Sequence, residues 1–224
     1  MKLSCVILTM GDRPAELARA IGSALAQQGD GLEVVAVGNG ADVGPVPPGV
    51  KVVKLPENLG VAGGRNAGVD ACGGDVVLFL DDDGWFPDPQ LGTHVARRFA
   101  ADPGLAVISF RVADPEGGPG ARWHVPRLRA GDPERSSQVT TFAGGACAIR
   151  RAAYLEAGGL PEAFFYAHEE TDLAWRLLAW ASGWNPPPRP QCATKRNRTP
   201  GAPRSTGSTA GTECCWPAGT GRGR

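Results

Sequence analysis

Two rhythms of apolar residues alternate along the first 184 positions. Short, nearly unbroken runs, "KLSCVILT" (2–9), "LEVVAV" (32–37), "VKVVKL" (50–55), "DVVLFLD" (75–81) and "LAVISFRV" (105–112), predict strands buried on both faces. Between them, "PAELARAIGSALAQQ" (14–28), "VAGGRNAGVDAC" (61–72) and "PQLGTHVARRFAAD" (89–102) show the spacing of helices. Asp12 is a candidate N-cap for the first of these, with Pro14 in its first turn. Strands alternating with helices predict an α/β fold, a mostly parallel sheet flanked by helices. Residues 113–137, rich in Gly, Pro and charge, read as an excursion or loop. "QVTTFAGGACAIRR" (138–151) returns as a strand turning at Gly144-Gly145, and a short helix follows. "EETDLAWRLLAW" (169–180) then predicts an amphipathic helix whose core residues are Leu173, Trp175 and Trp180.

The rhythm stops at residue 184. Residues 185–224 contain no Val, Ile, Leu, Met, Phe or Tyr and are rich in Pro, Gly, Ser, Thr and Arg. Such a segment buries too little apolar surface to offset the entropy of ordering, so a single domain over 1–184 and a disordered tail over 185–224 are expected.

Composition narrows the function classes. The 224 residues are 42% hydrophobic and 21% charged, with zero formal net charge. That balance gives no basic surface for a nucleic acid and none for an anionic membrane. No stretch reaches the roughly 18 apolar residues of a membrane span, and "MKLSCVILTMGDRP" is too short for a signal peptide, so the cytoplasm is the expected location. The six cysteines are scattered without C-x-x-C spacing; three lie in apolar segments and read as core residues, and vicinal Cys214 and Cys215 receive no assignment.

Candidate chemistry lies in two acidic groups. "VVLFLDDD" runs from a buried strand into Asp81, Asp82 and Asp83, and adjacent carboxylates repel unless something positive lies among them. Ligands of open α/β sheets collect beyond the carboxyl ends of the strands, where these residues arrive. If the backbone stays extended, Asp81 and Asp83 point one way, to hold Mg²⁺ or Mn²⁺, and Asp82 the other, toward a ribose hydroxyl. The alternative is that these residues cap the helix after Pro87. In "AHEETDLAWR", Glu169, Glu170 and Asp172 crowd a helix start, where the dipole favours anions, and Asp172 can pair with Arg176 four residues on. Gly63 and Gly64 allow a close backbone approach beside Arg65, which could pair with a diphosphate or be a solvated helix residue.

The stretch "ENLGVAGGRNAGVDACGGDVVLFLDDD" resembles the family 2 glycosyltransferases, which have the GT-A fold, Rossmann-like and built to bind nucleotide sugars. "CVILTMGDRPAELARAIGSALAQ", "VVAVGNG" and "FAGGACAIRRAAYLEAGGLPEAFFYAHEETDLAWRL" resemble further segments of that family in its order, covering about residues 3–180. The resemblance implies transfer of a sugar from a nucleotide-diphosphate donor to an acceptor hydroxyl, with inversion and a divalent cation. It places Thr9, Gly11, Arg13, Asn39, Asn58, Arg65, Asn66, Asp81 and Asp82, with Gly60, along the nucleotide sugar. Asp83 would hold the cation with Asp81 assisting. Glu170 is the implied general base, Glu169 and then Asp172 the alternatives, while Gly144 and Gly145 would admit the acceptor. That acceptor would be a saccharide, a lipid-linked group or a small molecule. Trp85, Phe86 and the 113–137 loop, with "GARWHVPR" as a possible lid, are further candidates for its site; His168 reads as a supporting residue.

Relatives continue after the acidic helix with a strand and often a metal-binding His. Here Trp184 matches their "GW" turn, but His94, His124 and His168 all lie upstream. The compositional break resembles a frame lost near residue 180 in a GC-rich gene, with a genuine extension as the alternative. Two rival functions remain: a catalytically impaired nucleotide- or carbohydrate-binding remnant, and a nucleotidyltransferase. The second fits poorly, because "TMGDRPAEL" has one Gly and one Arg where a phosphate loop would stand.

Overall fold

A computed structural model describes residues 1–114 and 139–181 of the chain. The expected 113–137 excursion lies almost wholly outside the described residues, and the tail, its cysteines, Trp184 and His124 lie wholly outside them, as does the side chain of Trp180.

Among the described residues six strands are formed: β1 (Leu3–Thr9), β2 (Leu32–Asn39), β3 (Val50–Leu55), β4 (Val76–Asp81), β5 (Val107–Ser109) and β6 (Ala146–Arg150). Five α-helices accompany them among the described residues: α1 (Pro14–Leu25), α2 (Gly60–Ala71), α3 (Leu91–Ala101), α4 (Arg151–Glu156) and α5 (Glu169–Ala181). Among the described residues the strands make one sheet in the order β3-β2-β1-β4-β6-β5. β1 to β4 are parallel, and β6 inserts antiparallel between β4 and β5, pairing Leu80 with Ala146 and Val76 with Arg150. The fold is the expected mostly parallel α/β sheet.

The side-chain period of two divides the core. Cys5, Ile7, Leu78 and Leu80 face α1 and α3, while Val6, Val37, Phe79 and Ile149 face α2, α4 and α5. α1 buries Leu17, Ala20, Ile21 and Ala24, a stripe at i, i+3, i+4 and i+7. Pro14 opens it as expected, but the N-cap position is Arg13 and no side chain caps the helix, so Asp12 does not have that role. α3 begins at Leu91 with Gln90 at its N-cap, so the carboxylates at 81–83 do not cap it; Asp88 accepts the Gln90 amide instead, 2.8 Å away. β5 is shorter than its apolar run, because it lies on the sheet edge and pairs with β6 through three residues. Of "QVTTFAGGACAIRR", the second half alone is a strand.

α5 buries Leu173 and Leu177 on the α2 side of the sheet, whereas Trp175 on its opposite face is 64% exposed and is not the core residue the sequence suggested. Leu173→Ala should therefore cost about 2–5 kcal/mol of unfolding free energy in urea titration, and Trp175→Ala far less. Equal losses at the two positions would contradict this packing.

Candidate functional site

Parallel pairing brings the ends of β1, β2 and β4 to one edge of the sheet, at Thr9, Asn39 and Asp81. Because β6 runs the other way, its entry, Gly144-Gly145, arrives at that same edge beside Asp81. The Asp81 amide donates to the Gly145 carbonyl across 3.3 Å. The chain thus returns the turn before β6 to the acidic end of β4.

Extended backbone stops at Asp81. The chain turns, with the Gly84 amide donating to the Asp81 carbonyl at 3.0 Å. The alternation expected for Asp81 to Asp83 is lost with it. Asp82 is buried and accepts a hydrogen bond from the Thr9 hydroxyl at 2.7 Å, with Arg13 Nη2 3.5 Å from its other oxygen. Arg13 Nη1 also donates to Asp83, so Asp82 and Asp83 converge on one guanidinium. Burial pushes the Asp82 carboxyl above its usual range, against the opposing pull of Thr9 and Arg13. Asp81 turns the other way, accepting from Arg65 Nη2 at 2.9 Å.

Arg65 is the centre of the second cluster. Its place on α2 with Ala62 and Val69, at i−3 and i+4, carries it inward, and its side chain is 7% exposed. Nη1 lies 3.5 Å from Glu169 and 3.6 Å from Glu170, and the guanidinium carbon is 5.7 Å from the Phe79 ring centre. Both glutamates begin the buried side of α5: Glu169 lies four residues before Leu173, and Glu170 four before Ala174. The Glu169 side chain is 3% exposed and its Oε2 has no hydrogen-bond partner among the described residues, while the Glu170 side chain is 21% exposed. Burial, then the neighbouring Glu169, raises the Glu170 carboxyl above the ordinary glutamate range, with Arg65 pulling it down. A Cβ on Gly144 would strike Glu170 and Arg65, and one on Gly145 would strike the Asp81 carboxylate. The two glycines therefore admit the protein's own charged groups against the backbone.

Several expected ligand contacts are taken up internally. Asn39 donates to the Asn58 side chain at 2.8 Å and the Gly60 carbonyl at 3.0 Å, and accepts from the Leu59 amide at 2.9 Å. It closes the end of β2 onto the turn before α2. Asn58 also accepts the Gly60 amide at 2.8 Å. Asn66 holds the segment after α4, accepting from the Tyr154 hydroxyl and the Leu160 amide and donating to the Leu160 carbonyl. Arg65 is buried among carboxylates, while Arg13, with a 46% exposed side chain, is the arginine of the pair with access to solvent. Gly11 has φ +73° and lies against the Asp42 carbonyl, a position that a Cβ would fill. Asp172 pairs with Arg176 at 2.7 Å, and Arg176 also donates to the Gly159 carbonyl at 2.7 Å. Asp172 thus fastens α5 to the turn after α4, away from Arg65. Phe86 packs in the core against Phe110, Arg19 lies 4.0 Å over Trp85, and His168 is exposed with φ +69°.

No group of three His, Cys, Asp or Glu side chains is gathered in metal-binding reach among the described residues. A divalent cation at this edge would therefore draw one or two carboxylates from the protein and its remaining oxygens from a diphosphate and water. Mg²⁺ characteristically binds in that way; Asp81 and Asp83 are half-exposed carboxylates at this edge, each paired with a different arginine.

The mostly parallel sheet with one antiparallel strand inserted has the GT-A fold. The chain belongs to glycosyl transferase family 2, whose model matches residues 4–158. It is 37% identical over 108 residues to the succinoglycan biosynthesis protein ExoO of Rhizobium meliloti, covering 45% of this chain and 31% of that protein. It is 31% identical over 142 residues to the pre-mycofactocin glycosyltransferase of Mycobacterium tuberculosis, covering 58% of this chain and 28% of that one. The chain spans less than a third of the length of either. A mannosyltransferase from Pyrobaculum calidifontis, solved with GDP-Man and Mn²⁺, shares the fold with a TM-score of 0.61 at 18% identity, over 80% of this chain and 52% of that one.

Two outcomes follow from this geometry. Asn39→Ala leaves the Leu59 amide and Gly60 carbonyl without their partner, and should lower stability by about 1–3 kcal/mol in urea; unchanged stability with lost nucleotide affinity would instead make Asn39 a ligand contact. Glu170 holds its proton more tightly folded than unfolded, so its stabilising effect is complete below the unfolded value of about 4.3 and is lost as pH rises through the elevated folded value. Glu170→Gln should flatten the fall of Tm across that window, measured by thermal melts in steps of pH.

Proposed function

We propose that this domain transfers a sugar from a nucleoside-diphosphate donor to an acceptor hydroxyl, by a single displacement that inverts the anomeric centre. The observation that carries the reading is the meeting, at one sheet edge, of an acidic turn at Asp81 to Asp83 with a partly exposed glutamate of raised proton affinity, Glu170. Asp83, with Asp81, would hold a Mg²⁺ or Mn²⁺ ion, and the cation would neutralise charge growing on the departing diphosphate. The Pyrobaculum relative in fold, solved with GDP-Man and Mn²⁺, supports this donor class and cofactor.

The chain's own residues divide the remaining tasks. Arg13 has the exposure to meet the diphosphate, while Thr9 fixes the Asp82 carboxylate beside it. Glu170 takes the acceptor proton as the oxygen attacks the anomeric carbon; its raised proton affinity makes it a stronger base than an ordinary glutamate. Glu169, deeper and 3% exposed, is less accessible to an acceptor, and Asp172 is committed to Arg176. Gly144 borders Glu170 where an acceptor would approach. Acceptors compatible with this edge are saccharides, lipid-linked groups and small molecules. No helix among the described residues is long and apolar enough to cross a membrane, and the reading places the reaction in the cytoplasm.

Calorimetric titration with UDP, GDP and dTDP, each with Mn²⁺ and with EDTA, tests the donor half. Binding should require the metal and disappear in Asp83→Ala. Glu170→Gln should retain binding and lose about 10²-fold or more of transfer. Metal-dependent binding without transfer in the unaltered chain would favour the impaired remnant; absence of binding from folded protein would remove the donor assignment.

A further inference from the structure

Resting on that reading, we infer that Arg65 is a positioning residue that ties the donor side of the site to its base. Its two terminal nitrogens are divided between them: Nη2 holds Asp81 at the end of β4, and Nη1 lies against Glu170 and Glu169 at the start of α5. A guanidinium presents a rigid fork, so a carboxylate on one prong fixes the direction of the other. The burial of Arg65 and the phenyl ring of Phe79 behind it leave the fork little freedom to turn. Gly144 and Gly145 lie at the two prongs, each without the Cβ that would push a carboxylate away.

Charge makes the link more than mechanical. One cation faces three carboxylates, so each anion competes for it. When a donor and its cation occupy Asp81, the attraction of Arg65 falls more fully on the glutamates, and Glu170 releases its proton more readily. The base would thus be set to its ionised form when a donor is in place. Among the described residues the groups around Glu170 are Arg65 from α2, Glu169 from α5 and Cys147 from β6, with Asp81 of β4 and Tyr154 of α4 beside Arg65. Burial pushes the Cys147 thiol up to about 12 and the Tyr154 phenol well above its usual range, so both stay neutral near pH 7. The charges that can change the Glu170 environment are therefore the arginine and the other two carboxylates.

Carbon-13 NMR of the full chain labelled at glutamate Cδ, with the Glu170 signal assigned by its loss in Glu170→Gln, reads this directly. Without ligand, Arg65→Met should move the Glu170 titration up by about one to three pH units. Arg65→Lys, which keeps the charge and serves if the methionine variant does not fold, should move it the same way by less. Asp81→Asn should move it down. Adding a Mg²⁺–nucleoside diphosphate should move it down in the unaltered chain and leave it in place in Arg65→Lys while still binding. A Glu170 titration indifferent to both Arg65→Lys and Asp81→Asn would overturn the assignment, as would ligand binding that leaves it fixed in the unaltered chain. Absence of nucleotide binding would count against the donor reading, while the ligand-free variants would still judge Arg65.

Discussion

The site depends on one buried cation. Arg65 lies under the carboxyl edge of the sheet, out of water, with carboxylates from β4 and α5 as its compensation. Removing one partner from such a group typically costs about 3–5 kcal/mol, because the charge left behind is neither hydrated nor paired. Three carboxylates about one guanidinium exceed neutrality; burial first, and the neighbouring Glu169 second, raise the proton affinity of Glu170. The burial that encloses the arginine thus raises the proton affinity of Glu170, while the arginine itself opposes the rise.

The antiparallel strand β6 makes that arrangement possible. Had it joined the sheet in parallel, its entry would lie at the opposite edge and Gly144-Gly145 could not border Asp81. Its reversed direction brings the turn before β6 to the acidic edge, and α4 then packs on the face that α2 and α5 also cover. The glycines complete the approach: side chains at 144 and 145 would occupy the space now filled by Glu170, Arg65 and Asp81. Strand direction and two missing methyl groups together decide whether the clusters meet.

The sheet was legible because each buried strand is a short apolar run bounded by polar turns, and every predicted strand is present. The insertion order was not, since periodicity does not report which strands are neighbours. Within the site, residue types were easier to read than their targets. The acids at 81–83 do lie at the strand ends, but a turn after Asp81 replaced the assumed extension and sent Asp82 and Asp83 to Arg13. Asn39 and Asn66 were read as facing a ligand, whereas each saturates backbone groups of an adjoining turn. Some of this was present in the spacing. Ala62, Arg65 and Val69 form one inward stripe, as do Glu169, Leu173 and Leu177; either stripe predicts a charged residue carried below the surface. Trp175 misled because size and hydrophobicity outweighed its phase on the helix.

The two arginines divide the acidic edge by accessibility. Arg13 is half in solvent and pairs with Asp82 and Asp83 on the β1 side; Arg65 is enclosed and holds Asp81 and the glutamates on the β6 side. An exposed ion pair contributes little stability and can exchange its anion for another at small cost. An enclosed one cannot, because its groups would have to regain water. Anionic ligands are therefore expected to displace Asp83 from Arg13 and to leave the glutamates on Arg65 in place. This asymmetry sets a fixed framework behind an exchangeable front, and it follows from burial alone, whichever sugar or nucleotide base the edge accepts.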